Sequence, residues 1–214
     1  YYTGETVETN LVYTPLTDGK IFCMDFDHTH PYQNEMVARF LPQRPYYTEE
    51  TVDYFFNREL EHIEIFKNFS WAPTYLEIDK SRRRIFFEWP GESFNTPVCG
   101  KQDLEKYCPN WENQLVQIVC DILTLGYYKL TIYPHCFFNA NGQMKVFDFY
   151  GCVPIKEPYL PLKKIRGIMG VASPERFEKA ISGDLLNIKE MFLQALNGYS
   201  AWPTDRLKEL ALMV

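Results

Sequence analysis

Two periods alternate along this 214-residue chain, and the switches between them mark out its elements. Residues 11–28 carry two short apolar runs, "LVYTPL" and "KIFCMDF", joined by "TDGK". Asp-Gly between apolar runs predicts a hairpin, because both turn positions tolerate positive φ. Residues 29–47 are rich in proline and aromatics and read as largely irregular. At Thr48 the period becomes helical. Val52, Phe55, Phe56, Leu60, Ile63 and Phe66 fall on one face, behind a Thr cap and acids in the first turn. Strands are predicted again over Thr74–Ile78 and Arg84–Trp89, with "KSRRR" as a charged turn between them.

"GESFNTPVCGK" reads as a connector, and a lobe boundary near it divides the chain into residues 1–92 and 93–214. Helical spacing returns over Asp103–Tyr127, where Leu115, Ile118, Val119, Ile122 and Leu125 form a stripe that Gly126 ends. A loop with Pro134 then leads to a strand over Cys136–Phe138, an "NANG" turn and a second strand in "QMKVFDF". Beyond a proline-rich run to Leu162, helices are predicted over Pro174–Ser182, Leu185–Asn197 and Asp205–Leu212. Gly198 is read as a stop and Thr204 as a cap. Hairpin, helix, hairpin, then a mainly helical half with one hairpin, is an α+β order.

Composition narrows the function classes. The chain is 46% hydrophobic and 16% aromatic, enough for a substantial core. A net charge of −6 argues against nucleic acid as a partner, with the basic tract Lys80–Arg84 read as a solvated turn. No apolar run is long enough for a membrane span, and no signal peptide opens the sequence. Six cysteines without a CxxC pair suggest free thiols in a reducing, cytoplasmic setting.

Two stretches carry candidate chemistry. "IFCMDFDHTH" has the letters of the DxDxT nucleophile motif of haloacid-dehalogenase-like phosphatases, with Asp25 and Asp27 as the acids. That chemistry needs Asp25 at the end of a central parallel strand, whereas the turn signal places it in a hairpin. Asp25, Asp27, His28 and His30 also offer metal donors, but on a strand they divide between two faces. The second stretch is "LGYYKLTIYPHCFFNANGQMKVFDFYG". There His135 could act as a base and Cys136 as a nucleophile. As strand neighbours the two would point to opposite faces.

Element order and these residues together resemble the protein-kinase-like superfamily, which includes protein kinases and aminoglycoside- and choline-type phosphotransferases. The resemblance spans about residues 11–200. "NRELEHIEIFKNF" is similar to the family's small-lobe helix, with Glu59 at the glutamate that pairs with a phosphate-binding lysine. "RRIFFEWPGESF" resembles the last small-lobe strand and hinge, which implies an adenine facing the backbone around Glu88, Trp89 and Pro90. Tyr133, Pro134, His135, Phe137 and Asp148-Phe149 stand in the register of the catalytic loop, hairpin and metal motif. The resemblance implies a two-lobed fold, with a small β-rich N-lobe holding one long helix and a mainly helical C-lobe. It implies ATP and Mg²⁺ as cofactors and Asp148 as a metal ligand.

The departures fall on the charges that phosphoryl transfer needs. Thr131 occupies the catalytic-loop aspartate position, Cys136 the metal-binding asparagine position, and Asp25 the lysine position. Tyr150 displaces the glycine after Phe149. A kinase-like protein without ordinary phosphotransfer is therefore expected, a pseudokinase-type module for a protein partner or small ligand. The alternatives are an atypical ATP- and Mg²⁺-dependent phosphotransferase, with Asp148 as its metal ligand, and a DxDxT phosphatase.

Overall fold

The computed structural model describes residues 2–8, 20–26, 49–94, 100–157, 159–161, 181–182, 185–199 and 201–214. Its architecture is mixed α+β, with small antiparallel sheets and several helices.

The first sheet joins β1 (Tyr2–Glu8), β2 (Lys20–Asp25), β3 (Tyr75–Asp79) and β4 (Arg84–Glu88) in the order β1-β2-β4-β3, all antiparallel. The expected partner of β2 within residues 11–19, and the Asp18-Gly19 turn, lie outside the described residues. β1 fills that edge instead, with Val7 opposite Ile21 and Glu8 opposite Lys20. The charged turn forms as read: Arg83 adopts φ 52°, Ser81 and Arg82 bond the Asp79 carboxylate, and Arg83 pairs with Asp53 at 3.0 Å.

Helix α1 (Glu49–Phe66) crosses between β2 and β3. Phe55, Phe56, Ile63 and Phe66 are buried, as the period predicts. The second helical stretch divides into α2 (Lys101–Tyr107) and α3 (Trp111–Thr124). Pro109 lies at the break, and its missing N–H cannot continue the ladder. Asn110 turns back at φ 63° as the N-cap of α3. α3 ends where Gly126 takes φ +89° and its N–H bonds the Leu123 carbonyl.

Two short sheets frame the middle of the chain. β5 (Glu92–Ser93), β7 (Phe137–Ala140) and β8 (Gln143–Val146) form one, in the order β5-β7-β8. β6 (Tyr127–Lys129) pairs antiparallel with β9 (Cys152–Pro154), so the segment from 130 to 151 leaves and returns at one place. Tyr159–Pro161, Ile181–Ser182 and Leu185–Asn187 form a further three-stranded sheet, β10 to β12.

The helix expected over Leu185–Asn197 thus starts late, as α4 (Ile188–Gln194), because the Asn187 side chain caps it by accepting the Glu190 N–H. Most of the helix expected over Pro174–Ser182 lies outside the described residues. α5 (Arg206–Ala211) closes the chain, and the Thr204 hydroxyl accepts the Arg206 N–H.

One hydrophobic cluster runs from Phe22 through Phe66, Trp111 and Phe149 to Leu210. It is continuous across the connector at residues 91–101, so the two halves share a core. Aromatic rings dominate the junction between the first sheet and the β7–β8 hairpin. Phe22 lies 5.1 Å from Phe138 and 4.6 Å from Phe147, and Phe87 lies 5.0 Å from Phe147. Each of these four rings is at most 3% exposed, and burying one stabilises by about 1.5–3 kcal/mol. Among the described residues, no helix is long and apolar enough to cross a membrane.

Candidate functional site

The polar residues the structure buries converge on one place. Arg58, Glu59, His62, Lys129, Thr131 and Asp148 are its buried polar and charged side chains among the described residues. All surround the return segment 147–152.

Helix α1 supplies three of them from a single stripe. Arg58 donates through Nε to the Cys152 carbonyl at 3.0 Å and through a terminal nitrogen to the Tyr54 hydroxyl at 2.6 Å. Glu59 accepts the Tyr150 N–H at 2.6 Å. His62 Nδ1 meets the Phe149 carbonyl at 2.5 Å, the imidazole N–H donating. Spacings of three and four residues place 55, 58/59, 62 and 66 on one face. Every polar partner on the segment is a backbone atom.

Lys129 and Thr131 hold the segment from the other side. Lys129 Nζ donates to Thr131 Oγ1 at 2.9 Å, to the Phe147 carbonyl at 2.8 Å and to the Asp148 carbonyl at 3.1 Å. An ammonium has three N–H groups, so Lys129 is saturated. Thr131 Oγ1 donates to the Asp148 carbonyl at 3.2 Å. The segment passes so close that a Cβ on Gly151 would lie 2.4 Å from Thr131 Oγ1.

Asp148 adopts φ 63°, ψ 50°, a left-handed conformation. Its Oδ2 accepts the Cys136 thiol at 2.9 Å. Its Oδ1 and Glu59 Oε1 are buried without a hydrogen-bond partner. Burial first, then the Asp148 charge, raises the Glu59 pKa to about 8. Burial lowers His62 to about 4 and pushes Cys152 up to about 12. Cys136 is held well above its ordinary value, by burial first and then by Asp148.

His135 completes the group, because the strand expected from Cys136 starts one residue later. Pro134–Cys136 forms a single 3₁₀ turn instead, with proline's fixed φ at its first position. The turn overturns the expectation that His135 and Cys136 face apart. One donor atom each from His135, Cys136 and Asp148 lie within 4.8 Å of one another. His135 is exposed and its ring stacks on Tyr133.

Of the residues singled out from sequence, Glu59, Thr131, Cys136 and Asp148 thus come together. Glu59 does not face solvent: it is 0% exposed. Glu88 and Trp89 sit at the end of β4, half-buried, opposite the strand that carries Ile21. Asp25 pairs with Arg84 across an antiparallel ladder. β2 is antiparallel to both neighbours, so Asp25 lacks the parallel strand that a DxDxT nucleophile requires. Asp27, His28 and His30 lie outside the described residues.

Sequence reasoning missed Arg58, His62 and Lys129. The available signal was a polar residue at positions 58 and 62, inside an otherwise apolar helical stripe. No protein-family model matches this chain, and no curated protein matches it either.

Proposed function

We propose that this protein is a two-lobed, kinase-like module that has lost ordinary phosphotransfer and acts by binding a protein partner or small ligand in a reducing, cytoplasmic setting. The carrying observation is the state of the centre around Asp148. At the family's loop-aspartate position stands Thr131, whose hydroxyl donates to the Asp148 carbonyl. A hydroxyl cannot serve as a carboxylate base near neutral pH. The glutamate position, Glu59, bonds a backbone N–H in place of a lysine. Of the two buried cations here, Arg58 is turned to the Cys152 carbonyl and the Tyr54 hydroxyl, and Lys129, beside Asp148, spends its three donors on Thr131, Phe147 and Asp148.

Mg²⁺ is the metal the family implies, and the donor set fits it poorly. Cys136 and His135 stand where a hard cation needs oxygen.

The test is a thermal-shift titration with ATP and Mg²⁺, run beside a γ-phosphate transfer assay on generic protein and small-molecule acceptors. A flat titration and no transfer are expected. Turnover at about 1–100 s⁻¹, the range of working kinases, abolished by Asp148→Ala, would overturn the proposal.

A further inference from the structure

We propose that His135, Cys136 and Asp148 bind one borderline-soft divalent cation, with Zn²⁺ as the ion that fits. The site does not depend on the kinase-like reading, since it rests on donor chemistry and geometry alone.

The donors are one imidazole nitrogen, one thiolate sulfur and one carboxylate oxygen, the mixed N/S/O set that Zn²⁺ accepts. Ligands at ordinary zinc distances stand about 3.3–3.8 Å apart around a tetrahedron. Atoms already within 4.8 Å of one another reach that arrangement by small side-chain rotations. Three protein ligands leave a fourth position for water or an incoming group.

The backbone holds the donors in place. In the 3₁₀ turn Pro134–Cys136 the donor atoms of His135 and Cys136 lie within 4.8 Å of each other. A bond from the Phe147 N–H to the Cys136 carbonyl, 2.8 Å, ties that turn to the segment bearing Asp148. The left-handed conformation of Asp148 then returns its carboxylate to the turn.

An independent observation points to a ligand. Asp148 is 2% exposed, and its Oδ1 has no hydrogen-bond partner. A buried, unpartnered carboxylate oxygen is costly, and a cation relieves that cost. Charge also balances, since one thiolate and one carboxylate match a dication. Lys129 opposes this little, because its ammonium is directed at the carbonyls of Phe147 and Asp148 and at the Thr131 hydroxyl. The exposed His135 gives the ion an entry side, while Cys136 and Asp148 lie beneath it.

Binding breaks the Cys136 S–H bond, forms a metal–sulfur bond and releases the proton to buffer. No atom changes oxidation state, and the thiol's hydrogen bond to Asp148 is exchanged for shared coordination.

The experiment titrates Co²⁺, then Zn²⁺, into chelator-treated, intact protein. Optical spectra and calorimetry in two buffers of different ionisation enthalpy follow the binding. One Co²⁺ per chain is expected, with a thiolate-to-cobalt charge-transfer band that Zn²⁺ erases. Cys136→Ser removes the band and releases about one proton fewer per ion. His135→Gln, at an exposed position that leaves folding intact, weakens affinity about 10-fold or more, and Cys108→Ser changes nothing. No Co²⁺ uptake, a band that survives Cys136→Ser, or an unchanged affinity in His135→Gln would each overturn the site. A protein that transfers phosphate yet fails these tests would sink the function proposal and this one separately.

Discussion

Glu59→Gln isolates the electrostatics of the buried centre. The side chain is fully buried, accepts the Tyr150 N–H, and has a pKa raised from 4.5 to about 8. Below pH 4.5 the carboxyl is protonated in the folded and unfolded chains alike, so it does not disfavour folding. Between 4.5 and 8 the unfolded chain releases its proton while the fold keeps it, and stability falls as pH rises. Above about 8 both states are ionised and the loss is complete. At about 1.4 kcal/mol for each tenfold change in proton affinity, the full loss is at most about 5 kcal/mol. Glutamine keeps an acceptor for the Tyr150 N–H and never ionises. The variant should match the wild type near pH 4 and exceed it by about 2 kcal/mol or more at pH 8. The assay is urea unfolding from pH 4 to 9 with a chelator present, followed by the fluorescence of the buried Trp71, Trp111 and Trp202. Parallel pH profiles for the two proteins, or a glutamine variant less stable at pH 8, would refute the reasoning.

Three further outcomes can be checked by the same unfolding assay. His62, lowered from 6.5 to about 4, stays neutral in the fold while the unfolded chain takes a proton, so wild-type stability falls as pH drops through that window by about 3 kcal/mol; His62→Gln should flatten this acid limb. Lys129→Met strips the donor from two carbonyls and a hydroxyl in a buried site, and should cost about 3–5 kcal/mol in the urea extrapolation. Gly151→Ala drives a methyl to 2.4 Å from Thr131 Oγ1 and should cost about 1–3 kcal/mol; a double-mutant cycle with Thr131→Ala should recover part of it.

The long helix, the β3–β4 hairpin with its charged turn and the β7–β8 hairpin are legible in the sequence because each satisfies its own period locally. Glu59 and Asp148 are legible as candidates through their place in that order. Other features are set by tertiary contact. β6 and β9 are three residues each, and their pairing joins Tyr127 to Pro154 across a long excursion that no local pattern announces. β1 gives a polar alternation, "YTGETVE", that becomes a strand only beside β2. At Pro134–Cys136 proline geometry overrides the strand signal and brings His135 round to Cys136. Arg58 and His62 escape notice because charged and polar groups are expected outside, and their burial is sustained by backbone partners far along the chain.

The grip of α1 on residues 149–152 has a consequence for how such chains could diverge. Arg58, Glu59 and His62 bind a carbonyl, an amide and a carbonyl, groups present whatever side chains that segment carries. The segment can therefore change its letters without loosening the contact, provided its path is kept and position 151 stays small. The helix has no such freedom, because its hold is made by side chains. Among distant relatives the recognisable trace would be Arg-Glu-x-x-His on a helix, facing a loop whose own residues have drifted.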